Sequence, residues 1–173
     1  LVSKNCRVII LSHLGKVKSE EDKLKNSLAV VAKRLNELVE SNVIFSTTTR
    51  SPELEMRVKA LQPREILVVE NTRFEDYPQK LESGNDIQLA SYWASLGDIF
   101  VMDAFGSSHR CHASTAGIAK FLPSCIGFLV QKELMMLNDN VLHAKRLFTI
   151  IMGGAKIEDK LELMNKLLPK CDY

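Results

Sequence analysis

Short, continuously apolar stretches recur along the chain, separated by longer segments in which apolar residues return every three or four positions. The apolar stretches are rich in β-branched residues and lie at 7–11, 43–46, 65–70, 98–103 and 147–153. Unbroken rather than alternating apolarity is typical of strands covered on both faces, as in a parallel sheet. The pattern therefore predicts a strand at each of these stretches.

The segments between the predicted strands have the features of helices. One apolar stripe consists of Leu24, Leu28, Val31, Leu35 and Leu38. Residues at this spacing share one face of a helix, so the stripe predicts a helix packed against the sheet. Strands alternate with helices throughout, which predicts a three-layer, doubly wound parallel α/β sheet of the Rossmann-like class.

Two of these helices carry clear start signals. Ser51 can cap a helix and Pro52 suits its first position, which predicts a helix from there to about Leu61. A second helix is predicted from Asp86, with Gly97 as its stop. The boundaries of both helices are thus expected from local chemistry.

Composition and charge narrow the classes of partner. The 173 residues carry a formal net charge of +2, so no global field would recruit nucleic acid or a membrane surface, and neither is expected as a partner. No apolar run is long enough to cross a membrane. The cysteines show no CxxC pair, which favours a reduced, cytoplasmic protein. They are Cys6, Cys111, Cys125 and Cys171.

The segments that follow the predicted strands concentrate positive charge. In doubly wound sheets, ligands bind at the carboxyl ends of the strands. Four such segments carry basic residues, and three of them also contain glycine, which lets backbone N–H groups approach an anion. The basic residues are His13, Lys16, Arg73, Arg110, Lys156 and Lys160. Their convergence predicts a site for a small, multiply charged phosphorylated ligand.

The segment "DAFGSSHRCHAST" at 103–115 admits several interpretations. Arg110 and exposed N–H groups could bind an anion, with a turn at Gly106 reversing the chain. His109, Cys111 and His112 could bind a metal, although a fourth ligand would have to come from outside this segment. An ordinary polar turn is the third possibility, with Asp103 as its cap.

Each basic segment also has a purely structural explanation. His13 could be a turn residue, and Arg73 could pair with the nearby acid Glu75. The "GGAK" segment lacks the spacing of a Walker loop, and no strand is followed by GxGxxG, which argues against dinucleotide binding. The recurrence of cations at one predicted sheet edge is what favours an anion site.

The motifs that carry this chemistry resemble those of one family, the phosphoglycerate kinases. They occur in that family's order and spacing and cover essentially the whole chain. They are "VIILSHLGK", "ILVVENTRF", "GDIFVMDAFGSSHRCHAST", "GFLVQKEL" and "IIMGGAKIEDK". The resemblance implies a two-domain fold of the phosphoglycerate kinase type and a glycolytic reaction. In that reaction a phosphoryl group passes reversibly from 1,3-bisphosphoglycerate to ADP, giving 3-phosphoglycerate and ATP, with Mg-ATP or Mg-ADP as the nucleotide.

The resemblance also assigns roles to individual residues. The basic patch would hold the phosphoglycerate, and the lysines of "GGAKIEDK" would contact the nucleotide phosphates and the phosphoryl group in transfer. The implied substrate-binding residues are His13, Leu14, Gly15, Lys16, Arg73 and Arg110. The implied catalytic residues are Arg110, Lys156 and Lys160, and the two lysines also bind the nucleotide.

The resemblance divides the chain into parts of two domains. Residues 1–130 would form a partial substrate-binding domain, 131–146 an interdomain helix, and 147–173 the first strand and helix of the nucleotide-binding domain. The family's opening Arg-x-Asp-x-Asn segment and its adenine pocket are expected outside this stretch. The chain is therefore expected to be a fragment, inactive alone, of an enzyme that is monomeric when intact.

The chain departs from the family pattern at a few positions. Lys16 and Val17 stand where arginine and proline are usual, and Thr72 stands where leucine is usual. Lysine keeps the positive charge but loses the bidentate fork of arginine. This departure leaves a rival hypothesis open, namely a non-catalytic anion-binding module derived from the same fold.

Overall fold

The computed structural model describes residues 1–138, 141, 143–153 and 161–173. It divides the chain into two compact units, Leu1–Cys125 and Ile126–Tyr173. The predicted nucleotide-binding residues Lys156 and Lys160 lie outside the described residues, as does Gly154.

The first unit is built on a three-stranded parallel sheet in the order β1-β3-β2. Its strands are β1 (Val8–Ile10), β2 (Val43–Phe45) and β3 (Ile66–Val68). Ile9 of β1 and Ile44 of β2 both lie opposite Leu67 of the central strand. All three residues of β3 are buried, as expected for a strand covered on both faces. These three predicted strands are confirmed, each shorter than its apolar stretch.

Alternate residues around β3 pack into two separate cores. Leu67 and Val69 belong to one apolar cluster, which includes Trp93, while Ile66 and Val68 belong to the other. Successive side chains of a strand point to opposite faces, so each face of the sheet has its own covering layer. This arrangement confirms the predicted three-layer parallel α/β class.

Two of the four helices of the first unit begin where capping chemistry predicts. The four helices are α1 (Glu20–Lys25), α2 (Ala29–Leu38), α3 (Pro52–Ala60) and α4 (Ile87–Ala94). The Ser51 side chain accepts a hydrogen bond from the backbone N–H of Leu54, and the Asp86 side chain accepts one from Leu89. Both predicted helix starts are therefore confirmed.

The single stripe expected from Leu24 to Leu38 is divided between two helices. Glu70 causes the division, because its Oε1 accepts from the backbone N–H of Leu28 at 2.7 Å and its Oε2 from the Ser27 hydroxyl at 2.6 Å. Leu28 is buried at the start of α2, whereas Leu24 on α1 is 86% exposed. The periodic pattern alone does not reveal this break.

Two further strands form a separate two-stranded sheet, β4 (Phe100–Met102) with β5 (Ser124–Ile126). In the structure β4 therefore lies outside the three-stranded sheet, although its stretch was expected to end at the same sheet edge as β1 and β3. A cleft of about 600 Å³ is lined by residues of both β1 and β4. On the side of β1 that faces β3, the N–H of Val8 donates to the Glu65 carbonyl and the Ile10 carbonyl accepts from Val69. The N–H and C=O of Ile9, which lies between them, therefore point away from β3.

The second unit contains α5 (Phe128–Leu137) and α6 (Leu161–Leu167). The strand predicted at 147–153 is absent from the described residues, and Ile151 there is 95% exposed. Phe148 and Ile150 bond instead to the end of the chain: the N–H of Phe148 donates to Asp172 Oδ2 at 2.7 Å and that of Ile150 to the Tyr173 carbonyl at 3.0 Å.

The boundaries of α5 differ from the helix expected at 131–146, since it begins three residues earlier and its described part ends at Leu137. The division into 1–130, 131–146 and 147–173 stays a prediction. Among the described helices, none is long and apolar enough to cross a membrane.

Candidate anion-binding site

The loops that follow β1, β3 and β4 meet at one place in the first unit. The residues that line one cleft from these three loops are Ser12, His13, Thr72, Ser107 and His112. Partial burial is the first cause that lowers the pKa of His13, followed by the charges of Arg73 and Arg110, while Asp76 acts in the opposite direction. The pKa of His112 is lowered by burial and by the same two arginines. Arg73 and Arg110 therefore affect the same two histidines, although Arg110 follows β4, which belongs to the second sheet.

The "SHLGK" loop after β1 is held by two asparagines. Asn71 Nδ2 donates to the Leu14 carbonyl at 2.8 Å, and Asn26 Nδ2 donates to the Lys16 carbonyl at 3.2 Å. Gly15 between them has a φ of 64°, and a Cβ there would lie 2.9 Å from Asn26 Oδ1. The backbone is thus fixed, while Lys16 is exposed and His13 stays accessible although its surroundings partly desolvate the ring.

We expect Gly15→Ala to lower the free energy of unfolding by about 1–3 kcal/mol, because alanine is strained at positive φ and its Cβ meets Asn26. Urea denaturation measures this change. Gly106→Ala is the matched control: Gly106 lies in a 3₁₀ turn, Phe105–Ser107, with open space around a Cβ. Its change should stay within about 0.5 kcal/mol. Equal losses at the two glycines would contradict this account.

The turn at Gly106 thus exists as a 3₁₀ turn, but neither space nor backbone conformation requires glycine there. The expectation that the glycine itself allows the chain to reverse is not supported by this geometry. Gly15 is the position where glycine is needed.

Arg73 follows β3 in the 3₁₀ turn Thr72–Asp76. Its side chain is buried and its Nη1 donates to Asp76 Oδ2 at 2.8 Å. The alternative pairing with Glu75 is wrong, since Glu75 instead accepts from Arg50 at 2.6 and 3.0 Å. Within the described chain, Arg73 Nε has no hydrogen-bond partner. A buried N–H without an acceptor is unfavourable, so Arg73 suits an anion that supplies one.

The loop after β4 presents Arg110 to solvent. Arg110 Nε donates to His109 Nε2 at 3.1 Å, and the Arg110 carbonyl accepts from Thr115 Oγ1 at 2.8 Å. His112 is buried and caps the π-helical turn Ala113–Gly117. The backbone of this loop is therefore anchored, while the guanidinium is accessible.

The geometry gives no support to the metal interpretation of this loop. Asn85 Nδ2 donates to Cys111 Sγ at 3.0 Å, and His109 is exposed whereas His112 is buried. No group of three histidine, cysteine or acidic side chains suited to a metal ion occurs in the part of the chain that the structure describes.

Sequence reasoning missed the acids that organise the site. Asp76 lies three residues after Arg73 and holds its guanidinium, a spacing that could have indicated the pair. Glu82 is fully buried, and its carboxylate accepts from the backbone N–H of Ser114 at 3.0 Å. No local signal could have found that contact, because its partners lie far apart in sequence.

The fold and these loops together define a class of protein. A three-layer parallel α/β unit brings a histidine and two arginines to loops at the carboxyl ends of its strands, which suits a small phosphorylated or carboxylated ligand.

Comparison with known proteins identifies the family. The family model described as "Phosphoglycerate kinase" matches residues 1–173, so the chain belongs to the phosphoglycerate kinase family. The phosphoglycerate kinase of Listeria innocua is 51% identical over 172 residues, and that of Macrococcus caseolyticus is 49% identical over 172 residues. Both alignments cover 99% of this chain and 43% of the relative. The chain thus spans less than half the length of these relatives.

Solved structures agree with this assignment. The phosphoglycerate kinase of Coxiella burnetii is 34% identical with a TM-score of 0.78, over 99% of this chain and 41% of that one. The phosphoglycerate kinase of Pyrococcus horikoshii is 26% identical with a TM-score of 0.82, over 99% of this chain and 43% of that one. The parallel α/β architecture is therefore that of the family.

Proposed function

We propose that the intact protein catalyses reversible phosphoryl transfer between 1,3-bisphosphoglycerate and ADP, giving 3-phosphoglycerate and ATP, as a step of glycolysis. Family membership supports the reaction. The observation that carries the substrate site is the single cleft lined by His13, Thr72 and Ser107 from the loops after β1, β3 and β4, where Arg73 and Arg110 both lower the pKa of His13. This arrangement suits the phosphate and carboxylate groups at the two ends of a phosphoglycerate.

Each site residue has a distinct proposed role. Arg73 and Arg110 supply planar guanidinium groups that can bind phosphate or carboxylate oxygens. Burial and the two arginines lower the pKa of His13, which favours the neutral imidazole, a form that can donate one ring N–H. Leu14 and Gly15 would contact the substrate through backbone groups. Lys16 adds a positive charge but lacks the bidentate guanidinium of arginine.

The "GGAKIEDK" segment supplies the nucleotide part of the proposal. Lys156 and Lys160 would bind the nucleotide phosphates and, with Arg110, neutralise charge on the phosphoryl group in transfer. The nucleotide would enter as Mg-ATP or Mg-ADP, in which the metal neutralises phosphate charge.

Catalysis in this scheme rests on placement. The attacking and leaving oxygens must lie in line with the phosphorus, and no covalent nucleophile is required. Closure of the two domains would exclude water, which would otherwise hydrolyse the acyl phosphate.

The same proposal covers the organisation of the intact protein. Residues 1–130 would belong to the substrate-binding domain, 131–146 to the interdomain helix and 147–173 to the nucleotide-binding domain. The intact enzyme would be a cytoplasmic monomer acting on small molecules, with neither nucleic acid nor membrane as a partner.

A coupled assay with 3-phosphoglycerate and Mg-ATP tests the function. We expect turnover by the intact protein and none by the 173-residue chain alone, because its relatives are more than twice as long. Intact protein that binds 3-phosphoglycerate without turnover, and stays inactive after Lys16→Arg, would favour the rival binding module. Absence of both turnover and binding would contradict the proposed substrate.

A further inference from the structure

A short turn between Thr72–Asp76 and α4 contacts both loops that carry the site arginines. Arg73 and Arg110 are far apart in sequence and follow strands of different sheets. Two loops of this kind need a physical connection if their guanidinium groups are to face one ligand. Glu82 and Ser83 provide contacts to both.

Glu82 makes the connection on the Arg110 side. Glu82 is 1% exposed. Its Oε2 accepts from the backbone N–H of Ser114 at 3.0 Å, and its Oε1 accepts from the Ser114 hydroxyl. Its carbonyl also accepts from the N–H of Ala113 at 2.9 Å. Thr115, which follows Ser114 in the chain, donates through its Oγ1 to the Arg110 carbonyl at 2.8 Å.

Ser83 makes the connection on the Arg73 side through its backbone. The N–H of Ser83 donates to Asp76 Oδ1 at 2.6 Å. The other oxygen of the same carboxylate, Oδ2, accepts from Arg73 Nη1 at 2.8 Å. One carboxylate oxygen of Asp76 is therefore fixed by the Ser83 backbone, and the other binds the Arg73 guanidinium.

We propose that Glu82 and Ser83 form a positioning clamp that sets the spacing of Arg73 and Arg110, so that both guanidinium groups meet the same phosphoglycerate. This inference rests on the proposed function for its substrate. Glu82 is a positioning residue, since both of its carboxylate oxygens accept hydrogen bonds from Ser114 in the loop that carries Arg110. An acid in the middle of an anion site is otherwise unfavourable, and here its charge faces donors of the protein.

Only the main chain of Ser83 takes part, whereas Glu82 acts mainly through its side chain. Burial raises the pKa of Glu82, and the bonds from Ser114 oppose that rise. An amide of the same shape can accept from the Ser114 N–H with its oxygen and donate to the hydroxyl with its nitrogen. Glu82→Gln should therefore preserve the clamp, and Glu82→Ala should remove it.

Steady-state kinetics of the intact enzyme tests the clamp. We expect Glu82→Ala to raise KM for 3-phosphoglycerate about tenfold, since a misplaced arginine loses a charge-assisted hydrogen bond, while KM for Mg-ATP changes less than about twofold. Glu82→Gln should recover most of the affinity for 3-phosphoglycerate. Ser83→Ala should behave as wild type because its backbone N–H is unchanged.

A core variant separates positioning from simple loss of stability. Leu54 is fully buried on α3 within the main apolar cluster. Leu54→Ala should lower stability and leave KM for 3-phosphoglycerate unchanged. If Glu82→Ala fails to fold, Ser114→Ala removes only the hydroxyl donor and should raise that KM about threefold. An unchanged KM in the variant that folds would overturn the clamp.

Turnover by wild type distinguishes this inference from the proposed function. If wild type has no turnover, the function fails, and the clamp is then tested by the side-chain Nε–H resonances of Arg73 and Arg110 in ¹⁵N spectra of the 173-residue chain. Both resonances should shift in Ser114→Ala and stay in place in Ser83→Ala. Resonances that do not move in Ser114→Ala would overturn the clamp.

Discussion

Replacing Arg110 by alanine should lower kcat/KM for 3-phosphoglycerate between about tenfold and 150-fold in the intact enzyme. A hydrogen bond to a charged group contributes about 1.5–3 kcal/mol, and each 1.36 kcal/mol is a factor of ten. The guanidinium is exposed and its described hydrogen bond goes to a neighbouring imidazole, so the fold should be unaffected. The coupled assay, with urea denaturation alongside, measures both quantities.

Arg34→Ala is the matched control for that experiment. Arg34 is also an exposed arginine, on α2, and forms an ion pair with Glu37 at 2.7 Å. Exposed pairs of this kind contribute little to stability, and Arg34→Ala should leave the kinetics unchanged. Arg110→Lys should recover part of the activity, because it keeps the charge and loses the fork. Equal kinetic constants for Arg110→Ala and Arg34→Ala would show that the loop carrying Arg110 does not bind the substrate.

Arg110 is a cleaner probe than Arg73 because of what each side chain leaves behind. Removing Arg73 would strip Asp76 of a buried ion-pair partner and would change stability as well as binding. Removing Arg110 leaves the anchor from Thr115 to the backbone intact. The two arginines therefore report on different aspects of one site.

Local signals in the sequence were sufficient for much of the first unit. The unbroken apolar run around Ile66–Val68 predicted a strand buried on both faces, and the structure has one. Ser51 and Asp86 predicted helix starts because a cap acts on N–H groups within three residues. These features depend on interactions that a short stretch of chain contains in full.

Pairing between distant segments was not predictable in the same way. The run at 147–153 has the composition of a strand, yet Phe148 and Ile150 bond to residues 172–173 instead. The segment at Ser124–Ile126 forms β5 although it is short and lies between Pro123 and Gly127. A strand exists only with a partner, and apolarity alone does not specify that partner.

The candidate site shows the same contrast between features set by local sequence and contacts between distant segments. The basic residues at the strand ends were predicted because topology places those ends together. Glu82 was missed because it contacts Ser114, which lies in another loop, and a buried acid in a polar turn has no distinctive local pattern. Basic residues at strand ends are thus readable from sequence, as is the spacing of Arg73 and Asp76, whereas the contact of Glu82 with Ser114 requires the fold.

The largest effect on stability is expected at Trp93 in α4. Its side chain is 3% exposed within the main apolar cluster, and its Nε1 donates to the Thr49 carbonyl at 2.9 Å. Trp93→Ala should lower the free energy of unfolding of the 173-residue chain by about 3–5 kcal/mol, much of the total of about 5–15 kcal/mol typical of a domain. Urea denaturation followed by circular dichroism suits this test, since the variant lacks the chain's only tryptophan.

Two further variants resolve what Trp93 contributes. Trp93→Phe keeps most of the apolar volume and leaves the Thr49 carbonyl without its donor, so a loss of about 1–3 kcal/mol is expected. Ile87→Ala, on an exposed position of the same helix, should cost far less. Thr49 also donates to Glu75 in the turn that carries Arg73, so the indole connects the core to the anion site. If Trp93→Ala and Ile87→Ala lose equal stability, this cluster is not the main core.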